Sequence, residues 1–100
     1  MESRHETRHP IEIQGRYRTG NGIARDVAIT DLSTHGCRIF DRFSKLVGSS
    51  FLTIRIGSIG PLEAHVRWVE KGVIGLEFVR PLHPSVLEHM RTTLDGWSRN

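Results

Sequence analysis

The sequence predicts a mainly β fold: a small six-stranded antiparallel barrel, or a strongly bent sheet, followed by one C-terminal α-helix. Three observations point there. Apolar and polar residues alternate with period two through six short segments between residues 11 and 79. Turn residues separate those segments at even spacing, as in small all-β domains. Beyond Val79 the alternation stops and an apolar stripe of helical spacing replaces it.

The first strand is marked by Ile11, Ile13 and Tyr17, with a gap at Gly15, alternating with Glu12, Gln14, Arg16 and Arg18. Thr19-Gly20-Asn21-Gly22 is a turn, with Asn-Gly its strongest hairpin signal. Ile23, Arg25, Val27 and Ile29 mark a second strand ending near Asp31. Asp31-Leu32-Ser33-Thr34-His35-Gly36 breaks the pattern, and Cys37-Arg38-Ile39-Phe40 is a short third strand. Asp41 to Ser50 is a connector with room for one helical turn at Arg42 to Leu46.

Leu52, Ile54 and Ile56 share one face of a fourth strand, and Gly57-Ser58-Ile59-Gly60-Pro61 is a turn. Leu62, Ala64, Val66 and Trp68 fall in phase on a fifth strand, which assigns all four to the inward face. Glu70-Lys71-Gly72 turns the chain into a sixth strand, Val73 to Val79, with Leu76 and Phe78 in phase. Pro84 suits the first position of a helix spanning about 84–97. Its stripe is Leu87, Met90, Leu94 and Trp97, and a helix packed on the sheet accounts for it better than a dimer seam. Six strands in so short a chain leave little interior volume, so a ligand belongs on the outer surface or rim.

A chain of 100 residues, 37% hydrophobic and 25% charged, is one globular domain rather than a disordered segment. The single cysteine, Cys37, excludes an intramolecular disulfide and falls where a small core residue fits. Met1 to Pro10 is polar and charged, and no apolar run has the length of a signal peptide or a membrane span. A cytoplasmic protein without membrane insertion is expected. The net charge of +3 is too small to argue for DNA or RNA binding, and a single-strand binder needs more exposed aromatics than seven mostly core-phased ones supply. Twelve of the fourteen cations are arginine, the residue that forks onto phosphate and stacks on flat rings. No acid–base pair or activated nucleophile points to an enzyme. His5 and His9 have a metal-ligand spacing, but Pro10 disfavours helix there and no third ligand is positioned.

Two short motifs remain: Arg4-x-x-x-Arg8, just before the first strand, and Asp31-x-Ser33-x-x-Gly36, just after the second. In this order they resemble the PilZ domain family. The resemblance extends over nearly the whole chain, through Pro10-Ile11-Glu12-Ile13, Asp31-Leu32-Ser33, Val66-Arg67-Trp68-Val69 and Gly75-Leu76-Glu77-Phe78. It implies a six-stranded antiparallel β-barrel with a C-terminal helix, preceded by a flexible basic arm at residues 1–10. It also implies a receptor for cyclic di-GMP that needs no cofactor and signals through a protein partner. The alternative is an adaptor of the same fold that no longer binds ligand.

The residue types suit that ligand. Guanine presents O6 and N7 to an arginine fork, phosphate oxygens take the same fork, and guanidinium stacks on base faces. Arg4 and Arg8 are expected to close over the ligand. The resemblance makes Asp31 and Ser33 the polar partners of a guanine, and Gly36 permits positive φ and a close backbone approach. Trp68, if not in the core, can stack on a guanine. Arg38, if not simply solvated, can reach a phosphate, and His5 stands where another arginine is frequent. Many members carry a further arginine immediately before the pair. Ser3 stands there in this chain, which favours one bound ligand over an intercalated pair.

Overall fold

In the computed structural model, residues 9–20 and 22–94 are described, with side chains for 13–20 and 22–92. Six strands, β1 (His9–Arg18), β2 (Arg25–Leu32), β3 (Gly36–Phe40), β4 (Phe51–Ile56), β5 (Ile59–Glu70) and β6 (Val73–Phe78), form a closed antiparallel barrel. The order around it is β1-β2-β3-β6-β5-β4, and the β1–β4 pairing closes the ring. Helix α1 (Pro84–His89) follows and continues into a π-helical turn, Met90–Leu94. The expected barrel and C-terminal helix are both present.

Period-two alternation becomes an inside and an outside. Ile13, Tyr17, Val27, Ile29, Leu52, Ile54, Ile56, Ala64, Val66, Ile74, Leu76 and Phe78 are buried in one core, together with Cys37 and Ile39. The gap at Gly15 has a packing reason. A Cβ there would lie 2.5 Å from Ile29 Cδ1, so the space is taken by a side chain from β2. Residues fill the interior, and two open grooves lie on the outside.

One end of the barrel is covered by the segment leading into α1. Leu82 N donates to Thr34 O at 2.7 Å, and Met90 is fully buried in the core. Pro84 opens the helix as predicted, with His83 Nδ1 accepting from Ser85 N at 3.0 Å as its cap. The predicted helix reached residue 97. Residues 95–97 lie outside the described residues, as do the side chains of Leu94 and Trp97.

The β3–β4 connector covers the other end, where Leu46 enters the core. It forms no helical turn at 42–46 but a loop anchored by Asp41. Arg25 binds this buried carboxylate bidentately, Nε to Oδ2 at 2.6 Å and Nη2 to Oδ1 at 2.9 Å. Tyr17 Oη donates to Oδ2 at 3.0 Å and Phe43 N to Oδ1 at 3.1 Å. These donors, Arg25 above all, hold the Asp41 carboxyl below its ordinary range despite burial. Burial, and then the neighbouring carboxylate, push the Tyr17 hydroxyl up.

Four further expectations change. Ile23 is not in β2, which begins at Arg25; the residue is 87% exposed, because the alternation extends past the end of the ladder. The turn assigned to 57–61 involves only Gly57 and Ser58, and β5 resumes at Ile59 with Gly60 and Pro61 inside the strand. β1 starts at His9, two residues inside the predicted arm. Trp68 is not inward-facing. The β5–β6 register shifts between Val66 and Trp68, so Trp68 pairs with Gly75 and is 40% exposed on the outer face. One extra residue in a bulge reverses the phase of everything beyond it.

Candidate ligand-binding groove

The β2–β3 turn is built by its own polar groups. Ser33 N donates to Gly36 O at 2.9 Å. Ser33 Oγ accepts from His35 N at 3.3 Å and makes a long 3.4 Å contact to Gly36 O. These bonds leave Ser33 only 1% exposed, facing the turn rather than solvent. The next strand fixes the turn's far side, since Phe78 N donates to His35 O at 2.8 Å.

Gly36 is required here for a different reason from the expected one. Its φ is not positive. Instead, a Cβ would sit 2.0 Å from the Leu76 carbonyl oxygen. Gly36 thus lets β3 approach the backbone of β6, and any side chain would force the two strands apart.

Beyond the turn, the registers align residues from neighbouring strands in one row. Pro10 on β1 pairs with Asp31 on β2, Asp31 with Arg38 on β3, Arg38 with Gly75 on β6, and Gly75 with Trp68 on β5. Paired residues share a face, so Asp31, Arg38 and Trp68 lie along one outer stripe. Asp31 Oδ2 lies 3.6 Å from Arg38 Nε, and Asp31 is the better shielded of the two. The Arg38 guanidinium lies 5.6 Å from the centre of the Trp68 ring, within cation–π range.

Gly75, in the middle of the row, has a role that residue patterning did not disclose. A Cβ on it would lie 2.3 Å from Trp68 Cε2, so the indole lies flat on the strand only because the side chain is missing. A glycine inside a strand pattern marks a close approach, and that was the available signal. Ser33, His35, Gly36, Arg38, Trp68 and Gly75 line a groove of about 350 Å³ on this face, rimmed by the Arg67–Glu77 ion pair. Such a surface combines a flat aromatic, a guanidinium and a shielded carboxylate. It suits a planar, hydrogen-bonding, anionic ligand such as a nucleotide.

Of the predicted site residues, Asp31, Ser33, Gly36, Arg38 and Trp68 therefore gather in one place. Arg4, His5 and Arg8 lie outside the described residues, as does the side chain of His9. His9 itself pairs with Leu32, so β1 begins beside the turn. Among the described residues no group of three or more metal-ligating side chains is present, and no helix is long and apolar enough to cross a membrane.

Comparison with known proteins agrees with this architecture. The model of the PilZ domain family matches residues 2–96. A crystal structure of the PilZ domain of CeSA from a cellulose-synthesizing bacterium superposes with a TM-score of 0.61, covering 94% of this chain and 99% of that one at 19% identity. No curated protein matches the sequence.

Proposed function

Because the chain belongs to the PilZ domain family, a family of cyclic di-GMP receptor domains, we propose that it is itself a cyclic di-GMP receptor without enzymatic activity. The observation that carries this is the row of Asp31, Arg38 and Trp68, held in one register beside the turn that ends at Gly36. Trp68 offers a stacking surface for a guanine. Asp31 supplies the acceptor that guanine N1–H and N2–H need, and Ser33 holds the turn that aims it. Arg38 is a cation within reach of a phosphate. Arg4 and Arg8, with His5 beside them, complete the site by closing over the ligand. The pairing of His9 with Leu32 supports this, because β1 begins beside the turn and Arg8 is the residue that precedes it in the sequence. Closure of the arm changes the surface offered to a protein partner, so the protein acts as an adaptor, in the cytoplasm, with no cofactor of its own.

Magnitudes require the parts to act together. Micromolar affinity needs about 8 kcal/mol. One hydrogen bond to a charged group contributes ~1.5–3 kcal/mol, and ordering an arm subtracts from the sum. Titrating cyclic di-GMP against Trp68 fluorescence in a Trp97→Phe background tests the assignment. Arg8→Ala and Asp31→Ala should each weaken binding about tenfold to a hundredfold. Arg4→Ala and Arg38→Ala should weaken it as well. Unchanged affinity in both Arg8→Ala and Asp31→Ala would remove the site from the arm and the turn.

A further inference from the structure

The most exposed apolar side chains do not belong to this groove. At the opposite end of β2, Ile23 is 87%, Phe43 77% and Phe51 47% exposed. They line a second open groove of about 960 Å³, with Ala24 and the buried Leu46 among its other walls. It shares no lining residue with the Arg38–Trp68 groove. Isolated exposed apolar residues are common on protein surfaces, but a cluster lining one depression marks an interaction site.

The loop that presents Phe43 is built to hold it there. Asp41, tied to Arg25 and Tyr17, accepts the Phe43 N–H, while Ser44 N bonds back to Asp41 O at 3.2 Å. The backbone is thus fixed while the ring faces solvent, so an occupant meets a preorganised anchor.

Charge narrows the occupant. The acids near this groove are neutralised: Asp26 is bonded by Arg16 at 2.8 Å and Asp41 is chelated by Arg25. Lys45, which lines the groove, meets no acidic side chain among the described residues. Lys45 is thereby the uncompensated charge of the described lining. A second copy of this chain would bring the same cation, Lys45, into a symmetric contact with no acid to meet it.

We propose that the Ile23–Phe43–Phe51 groove docks an acidic, apolar segment of a partner protein. This rests on the adaptor part of the function proposed above and locates its output surface away from the ligand groove. Apolar side chains of the segment pack against Phe43 and Phe51, and a carboxylate of it faces Lys45.

The test selects binders from a random peptide phage library on the immobilised full chain. Synthesised selected peptides are then measured by fluorescence anisotropy. Selected sequences should combine apolar residues with Asp or Glu. Phe43→Ser should weaken them at least tenfold, as expected of a buried aromatic anchor. Lys45→Glu should weaken them up to about fivefold at low salt, the range of an exposed ion pair. Phe43 is exposed, so Phe43→Ser should leave the melting temperature unchanged and show that the fold is intact. Selected sequences without acidic residues, or binding indifferent to Phe43→Ser, would overturn the proposal. So would self-association of the wild type in sedimentation that Phe43→Ser abolishes. Calorimetry of Phe43→Ser with cyclic di-GMP should match wild type. If neither protein binds cyclic di-GMP while the peptides still bind, the receptor function fails and the docking groove stands.

Discussion

Arg38 and Trp68 sit on strands that do not touch, yet the guanidinium lies 5.6 Å from the indole centre because the residue between them is Gly75. A cation and an aromatic plane are thereby presented together on the outer face, with the Asp31 carboxylate at the far side of Arg38. The interior of this barrel is packed, so the proposed recognition falls to such a surface.

Gly75→Ala tests that relationship. The added methyl would lie 2.3 Å from the indole, but Trp68 is half-exposed and free to swing away. The stability loss should be small, about 1 kcal/mol. Cyclic di-GMP affinity should fall about tenfold, the lower part of the range for a lost base–aromatic stack. Trp68 emission in a Trp97→Phe background should shift without any change in far-ultraviolet circular dichroism.

Gly36→Ala should behave differently. Its methyl meets the Leu76 carbonyl, a backbone atom that cannot turn aside. We expect a loss of about 3 kcal/mol or more, from forced separation of β3 and β6. Urea unfolding should show a lower midpoint, and amide exchange should accelerate along the Gly36–Phe40 and Val73–Phe78 ladder.

Asp41 sets an acid limit on stability. Its carboxyl is held below the ordinary value mainly by Arg25, so the native state binds this proton less readily than the unfolded chain. The stabilisation is present above about pH 4, the unfolded value. It is lost as pH falls from there through the lower native value. Asp41→Asn should cost about 1–3 kcal/mol at neutral pH, a modest figure because Arg25 keeps access to water. It should also flatten the acid side of a stability–pH profile measured by urea unfolding. An unchanged acid slope would mean that another carboxylate governs it.

Much of this fold was legible because a barrel with a wet outside and a dry inside imposes period two on every strand. Ile13, Tyr17, Leu52, Ile54, Ile56 and Phe78 all follow that rule. The errors arise where geometry departs from it without changing composition. Nothing in Val66-Arg67-Trp68 announces a bulge, so counting by two carried Trp68 indoors. Ile23 continues the phase of β2 but lies before the strand begins. Asp41 looked like a connector residue because its partners, Tyr17 and Arg25, are 24 and 16 positions away. The Asp31-x-Ser33-x-x-Gly36 turn was visible as a motif. That Ser33 faces inward and Gly36 abuts Leu76 requires knowing which strands are neighbours. Arg4 and Arg8 acquired a role only through the family resemblance, since an arginine pair carries little specificity in an arginine-rich chain.

Isothermal titration of the wild-type protein with cyclic di-GMP tests the central claim most directly. Saturable heat with a dissociation constant in the micromolar range or tighter, lost on Asp31→Ala, is the predicted result. No heat at high-micromolar protein would contradict it and leave the chain as an adaptor of the PilZ fold that works without the ligand.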